Sequence, residues 1–244
     1  MRPLLFEWRG IKVWSYPAML YVGLVAGVVA GNIAAHAAGL DAFRVFVATL
    51  LLIPPSLMGA RLLHVFMHWD VYKNNRGRIW DRTEGGQAQY GGLLVMVPLS
   101  FPLLAALDLP LGAFWDVASF TIIVGMIFTR VGCLLNGCCA GRPTRVGGVW
   151  LPNAQGVWQD RIPTQILEAG WATILLASMG GVWHLLPFQG ALFLYVVAGY
   201  AIGRLALESA REPAPGARGF TIHHAISLGM IAVSLAAFTA NWPR

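Results

Sequence analysis

Charge is scarce in this sequence. Asp, Glu, Lys and Arg make up 11% of its 244 residues, against about 25% in a typical soluble domain. Mean hydropathy is +0.62. A chain with so little charge cannot cover its surface for water, so it reads as a membrane protein. Acidic residues are the scarcer class, with 11 Asp and Glu against 17 Lys and Arg and a formal net charge of +6. That excess fits both anionic lipid head groups and ordinary topology signals. The basic residues are scattered among apolar runs, which argues against nucleic-acid binding. There are only three cysteines, so internal pairing leaves at least one over. No cleavable signal peptide is expected, because Arg2, Glu7, Arg9 and Lys12 interrupt the start. Internal repeats and a soluble domain are also missing.

What is present is a series of apolar runs. A span needs roughly 20 apolar residues, and seven segments meet that length. They run from about Tyr16 to Gly39, Arg44 to Trp69 (interrupted by Pro54-Pro55 and Arg61), Tyr90 to Leu107, and Phe114 to Leu135. The charge-free stretch Ala169–Gly203 supplies the fifth and sixth, which turn at Leu186–Gly190, and Gly219–Pro243 is the seventh. Pro163 suits the first turn of the fifth. The expected fold is an all-α integral membrane protein with seven transmembrane helices, in one domain over 1–244. Interfacial loops are expected at about 70–89 and 136–162, the second anchored by Trp150 and Trp158.

Thr129–Thr144, TRVGCLLNGCCAGRPT, is the densest stretch of chemistry. It holds Arg130 at membrane depth, and an ionisable residue there marks a functional site by default. Tyr200, Arg204, Glu208 and Arg211 recur at intervals of four, four and three. On a helix they share one face. That face either holds a lipid phosphate between guanidinium groups or is a simple interfacial ladder. Cys133, Cys138 and Cys139 admit three readings: small residues at a crowded turn, a reactive thiol beside Arg130 or Arg142, or a strained Cys138–Cys139 disulfide. His64 and His68 stand four apart and are either metal ligands or interfacial histidines. His223 and His224 are adjacent, face different ways, and form no ligand pair.

The central stretch resembles the signature of the prolipoprotein diacylglyceryl transferase family, Arg-x-x-Asn-x-x-Asn-Gly-Glu-x-x-Gly-Arg. Arg130, Asn136, Gly137, Gly141 and Arg142 match it, while Cys133 stands for the first Asn and Cys138 for the Glu. Tyr200, Arg204, Glu208 and Arg211 match the family pattern Tyr-x-x-x-Arg-x-x-x-Glu-x-x-Arg. Gly85–Leu94, GGQAQYGGLL, resembles Gly-Gly-x-x-x-His-Gly-Gly-Leu, with Tyr90 in place of the histidine. Tyr16 sits where the family has an aromatic Trp-Tyr-Gly, Gly59-Ala60-Arg61 resembles Gly-Ala/Gly-Arg, and Pro163–Glu168 resembles Pro-Ser/Thr-Gln-Leu-Tyr-Glu.

The resemblance implies a multi-pass enzyme of the bacterial inner membrane. Its implied reaction moves a diacylglyceryl group from phosphatidylglycerol, or a related anionic lipid, to a cysteine thiol in the signal segment of a lipoprotein precursor. It assigns catalytic roles to Tyr90, Arg130, Tyr200, Arg204 and Glu208. Substrate-binding roles fall to Tyr16, Arg61, Gly91, Gly92, Cys133, Asn136, Gly137, Cys138, Gly141, Arg142 and Arg211. No cofactor or metal is required by this scheme. Tyrosine, with a pKa near 10, is a poorer base than histidine at neutral pH. The substitutions at Tyr90, Cys133 and Cys138 keep open a paralogue that uses another acceptor. They also keep open a membrane thiol or metal protein built on the cysteines with His64 and His68. Most arginines and lysines fall on one side of the expected topology, which the positive-inside rule places in the cytoplasm. The resemblance implies an outward head-group face instead, so the side of the site stays open.

Overall fold

The computed structural model describes residues 4–80, 89–153, 156–212 and 220–242. Among the described residues, six helices are long and apolar enough to cross a membrane: α1 (Ser15–Ala37), α2 (Ala42–Met67), α5 (Leu111–Asn136), α6 (Thr164–Val182, extended to Leu185 by a 3-10 turn), α7 (Ala191–Glu208) and α8 (Ile222–Ala240). A shorter apolar helix, α4 (Gln89–Ala106), follows the single turn α3 (Trp69–Tyr72) and a 3-10 helix at Arg76–Trp80. The protein is thus a mainly helical, multi-pass membrane protein, and its helices fall where the seven apolar runs were expected.

Two short hairpins lie outside the helices. β1 (Leu4–Trp8) pairs antiparallel with β2 (Ile11–Trp14), and β3 (Val149–Pro152) with β4 (Trp158–Arg161). The second falls within residues 136–162 and carries Trp150 and Trp158, both exposed.

The chain divides into two compact units. Unit 2, Ala35–Phe114, is built on α2 and α4. The Asp41 side chain accepts from the N–H groups of Phe43 and Arg44 at 3.0 and 3.1 Å and starts α2. Pro54 and Pro55 do not interrupt this helix; they lie inside it. In a membrane protein, neighbouring helices can compensate for the hydrogen bond a proline removes. A Cβ on Gly91 would meet the Gly59 carbonyl and the Leu63 side chain, and one on Gly92 would lie 2.6 Å from Ser56 Oγ. Small residues thus let α2 and α4 approach closely, as is usual between membrane helices.

Unit 1, Met1–Ala34 with Trp115–Arg244, holds the core of Ile123, Ala172, Leu175, Met179, Leu192 and Val196. Gly23, Gly27 and Gly31 on α1 face Phe128, Gly125 and Thr121 on α5 too closely for any larger residue. Trp171 on α6 donates its indole N–H to the Gly199 carbonyl on α7 at 2.9 Å. Asp116 on α5 accepts from the Gly190 and Phe193 N–H groups at 2.8 and 3.0 Å, capping α7 from another helix. Gly190 itself takes a φ of 98°, which favours glycine.

Candidate active site

The site in unit 1 is organised by the first turns of α6. Thr164, Gln165 and Glu168 are all buried, and their spacing of three and four puts them on one face. The lower turn holds a loop and the upper one holds charge.

The loop begins where α5 ends. Gly137 has a φ of 76°, its N–H donates to the Leu134 carbonyl at 3.2 Å, and the Cys138 N–H donates to the Cys133 carbonyl at 3.1 Å. These two bonds form a Schellman stop, for which glycine is the natural residue. Thr164 Oγ1 then donates to the Cys139 carbonyl at 2.7 Å, and Gln165 Nε2 donates to the Cys138 carbonyl at 2.6 Å. Beyond the loop, Gly141 lies between two backbone segments. A Cβ there would stand 2.6 Å from both the Ala210 and Ile162 carbonyl oxygens. The Gly141 N–H donates to Ile162 and the Arg142 N–H to Ala210, each at 2.9 Å. This stitches the loop to the chain around Arg161 and Arg211.

Charge gathers on Glu168. Arg130 Nε lies 2.6 Å from Oε2, while Arg204 Nη1 and Arg211 Nη2 lie 2.9 and 2.8 Å from Oε1. Arg204 Nη2 also meets Glu208 Oε2 at 2.9 Å. The side chains of Arg130, Arg204, Glu168 and Glu208 are all at most 9% exposed. These five groups carry three positive and two negative charges, so one positive charge is in excess. A buried cluster with surplus guanidinium charge can accept an anionic oxygen, and phosphate matches the arginine fork. Thr221 Oγ1 donates to Glu208 Oε1 at 3.4 Å, and His223 on α8 is within electrostatic range of Arg204, Glu208 and Arg211.

Cys133, Cys138 and Cys139 form a second cluster. All three are free thiols, buried, half-buried and exposed respectively. Their sulfurs lie within 4.8 Å of one another, with no histidine or carboxylate in the group among the described residues. Cys139 is held well below the ordinary thiol range, because the Cys133 and Cys138 thiols hydrogen-bond to it and Arg211 and Arg130 favour its charge. Cys138 shifts upward: its bond with Cys133 lowers it, but the bond with Cys139 and burial raise it further. Cys138 and Cys139 are not joined in a disulfide here.

The residues expected at the site are distributed as follows. Arg130, Tyr200, Arg204, Glu208, Arg211, Cys133, Cys138, Asn136, Gly137, Gly141 and Tyr16 all belong to unit 1. Tyr16 is close enough to the three cysteines and Arg130 to interact electrostatically with them, and its backbone packs on Gly132. Tyr200 acts in the same way on Arg130 and also borders the apolar core. Asn136 is the last residue of α5, and its side chain bonds Cys138. Arg142 is exposed. Arg211 is not on the helical face with Tyr200 and Arg204, because α7 ends at Glu208. It reaches Glu168 from a backbone bridge to Gly141.

Arg61, Tyr90, Gly91 and Gly92 belong to unit 2. Arg61 donates to the carbonyls of Ile79 and Arg78 at 2.8 and 3.1 Å and lies over the Tyr72 ring. It thereby fastens the polar segment after α2. Gly91 and Gly92 are occupied with helix packing. Tyr90 is buried, and residues 81–88, which include the start of its glycine motif, lie outside the described residues. The rings of His64 and His68 lie 4.4 Å apart between centroids, tilted by 32°, with His68 Nδ1 2.9 Å from the His64 carbonyl.

Two residues of the site were not singled out in the sequence. Glu168, the hub, was legible only as the last letter of a weak six-residue motif. Arg161, 1% exposed, bonds the Gly141 carbonyl at 3.3 Å and pairs with Glu212 at 3.0 Å. Its only sequence signal was an arginine just before the fifth apolar run.

Comparison with known proteins bears on this geometry. A family model described as prolipoprotein diacylglyceryl transferase matches residues 3–240. The phosphatidylglycerol–prolipoprotein diacylglyceryl transferase of Dehalococcoides mccartyi is 29% identical over 242 residues, covering 97% of this chain and 92% of its own. Its counterpart in Clostridium tetani is 27% identical over 255 residues, covering 99% and 98%. That of Lactiplantibacillus plantarum is 28% identical over 229 residues, covering 86% and 78%.

Proposed function

The chain belongs to the prolipoprotein diacylglyceryl transferase family, and from that premise we propose that it transfers a diacylglyceryl group from phosphatidylglycerol to a cysteine thiol of a lipoprotein precursor in the bacterial inner membrane. The observation that carries this reading is the buried convergence of Arg130, Arg204 and Arg211 on Glu168. Three guanidinium groups held by one carboxylate form a preorganised receptor for a phosphodiester. They act on the oxygen that gains charge as the glycerol carbon is attacked. Fixed donors of this kind stabilise a leaving group without reorganising during the reaction.

Glu208 positions Arg204 on its second nitrogen, and Tyr200 borders the same guanidinium cluster. Asn136, Gly137 and Gly141 shape the head-group side of this receptor through the turn they build, and Arg142 and Tyr16 add substrate contacts. Tyr90 orients the donor by its hydroxyl, and Arg61 fixes the polar segment that follows α2. The acceptor sulfur attacks the glycerol carbon, a thioether forms, and glycerol phosphate leaves.

The purified chain, phosphatidylglycerol and a lipobox peptide test this directly. Mass spectrometry should show the peptide gaining one diacylglyceryl group at its cysteine, with glycerol phosphate released. Consumption of the lipid with an unmodified peptide would indicate another acceptor. No consumption of the lipid would refute the reading.

A further inference from the structure

Three sulfurs stand together where α5 ends, and the reaction above gives them no essential part. Those of Cys133, Cys138 and Cys139 lie within 4.8 Å of one another. Zinc held by thiolates at about 2.3 Å needs its sulfurs roughly 3.8 Å apart, so the trio meets that requirement with little movement.

The backbone carrying the sulfurs is pinned from outside. The turn at Gly137 closes Cys138 onto the Cys133 carbonyl. Cys139 takes a φ of 62°, which a residue with a side chain adopts only where its surroundings hold it. Thr164 and Gln165, both almost wholly buried, hold the Cys139 and Cys138 carbonyls. Each of these bonds engages the main chain and leaves the sulfurs available. Metal ligands need outer support of this kind.

The donor set decides the ion. Thiolates select soft or borderline metals. Catalytic zinc keeps three protein ligands and one open position, whereas structural zinc is closed by four. Here the group comprises three cysteines with no histidine or carboxylate among the described residues. It runs from buried Cys133 to exposed Cys139, so one side is accessible. Arg130 and Arg211 act electrostatically on Cys139 and offset the negative charge of three thiolates.

We propose that Cys133, Cys138 and Cys139 bind one zinc ion as thiolates, and that its fourth position takes the cysteine sulfur of the acceptor. The second half rests on the transferase reading; the first half does not. A thiol that coordinates a metal is deprotonated outright, so the acceptor reaches the donor lipid as thiolate at neutral pH and needs no histidine. On binding, the acceptor thiol gives its proton to solvent. Its sulfur then attacks the glycerol carbon that bears the phosphate. The S–C bond forms, the C–O bond breaks, and the electron pair departs with glycerol phosphate beside the arginines. Nothing is oxidised or reduced. The neutral thioether is a weaker ligand than the thiolate and dissociates.

The test uses the full-length chain in detergent. Elemental analysis should return about one zinc per chain, and Cys133→Ser, Cys138→Ser and Cys139→Ser should each bring it to background. Cys133 is buried and its variant can lose the fold with the metal, so the exposed Cys139→Ser, checked for an unchanged elution profile, decides. In cobalt-substituted protein the thiolate-to-metal absorption should change on adding a lipobox peptide with its cysteine and stay fixed with a serine version. Zinc at background in the unmodified chain, or unchanged zinc in Cys139→Ser, overturns the site. Indifference of the cobalt spectrum to the cysteine peptide, or full-rate transfer by zinc-free protein, overturns the acceptor role and leaves the transferase reading standing. Stoichiometric zinc without any transfer from phosphatidylglycerol overturns the transferase reading and leaves the metal site standing.

Discussion

Replacing Glu168 by Gln should damage this protein more than any other single loss of charge. The amide keeps the shape of the side chain but removes the charge on which Arg130, Arg204 and Arg211 converge at 2.6 to 2.9 Å. Glu208 remains, paired with Arg204. Removing one partner of a buried ion pair costs about 3–5 kcal/mol, because the other charge stays desolvated. For a domain of this size each kcal/mol corresponds to about 2–4 °C, so the melting temperature in detergent should fall by about 6–20 °C. The loss has a signature that general misfolding would not show. With the carboxylate gone, the guanidinium groups should gain more from an anionic ligand. Phosphatidylglycerol should therefore raise the variant's melting temperature by more than it raises that of the unmodified chain. Transfer should fall on the order of 100-fold or more, since the arginines lose their common anchor. A variant with unchanged melting and near-normal turnover would show that Glu168 does not organise the site.

The remaining predictions concern single positions. Gly91→Ala would push a methyl group into the Gly59 carbonyl and should lower stability by about 1–3 kcal/mol; Gly170→Ala, with nothing within 4 Å, should leave thermal unfolding unchanged. Tyr90→Phe should cost transfer less than about tenfold, because its hydroxyl orients the donor; a fall of about 100-fold or more in the rate assay would identify it as the base. Asn75→Cys, in a chain whose native cysteines are replaced, lies on an exposed stretch. An impermeant maleimide should label it in intact cells, and protection until lysis would exclude secreted precursors as acceptors.

Hydropathy made the helices legible, since a membrane demands long apolar runs and imposes few other patterns. The boundaries of α1, α4 and α6 fall within a few residues of the apolar runs. Pro54 and Pro55 misled because a rule learned in water predicts a break that neighbouring helices can offset. The hairpin of β3 and β4 was not legible because four-residue strands carry too little alternation. Arg130 and Arg204 stood out because a charge in an apolar run is expensive. Glu168 did not, because it sits at the edge of its run and its partners are distant in sequence. Arg211 was assigned to the right cluster for the wrong reason: its spacing matched a helix that stops earlier. Gly91 and Gly92 show what a motif leaves unread: residues singled out for substrate binding also let α2 and α4 approach closely.

The gathering of three arginines on Glu168 also constrains the order in which the protein can be made. Arg130 leaves the ribosome before its carboxylate partner, and Arg204 and Arg211 follow later still. An arginine at the centre of an inserted helix costs about 2.5–3.5 kcal/mol on insertion scales, and Arg130, nearer the C-terminal end of α5, costs a part of that. During synthesis α5 therefore has to remain near the water interface or beside the insertion machinery until α6 arrives. A nascent chain stalled between α5 and α6 would expose a charge-bearing span that quality-control proteases can recognise, so the lifetime of such fragments should be short compared with that of the finished protein.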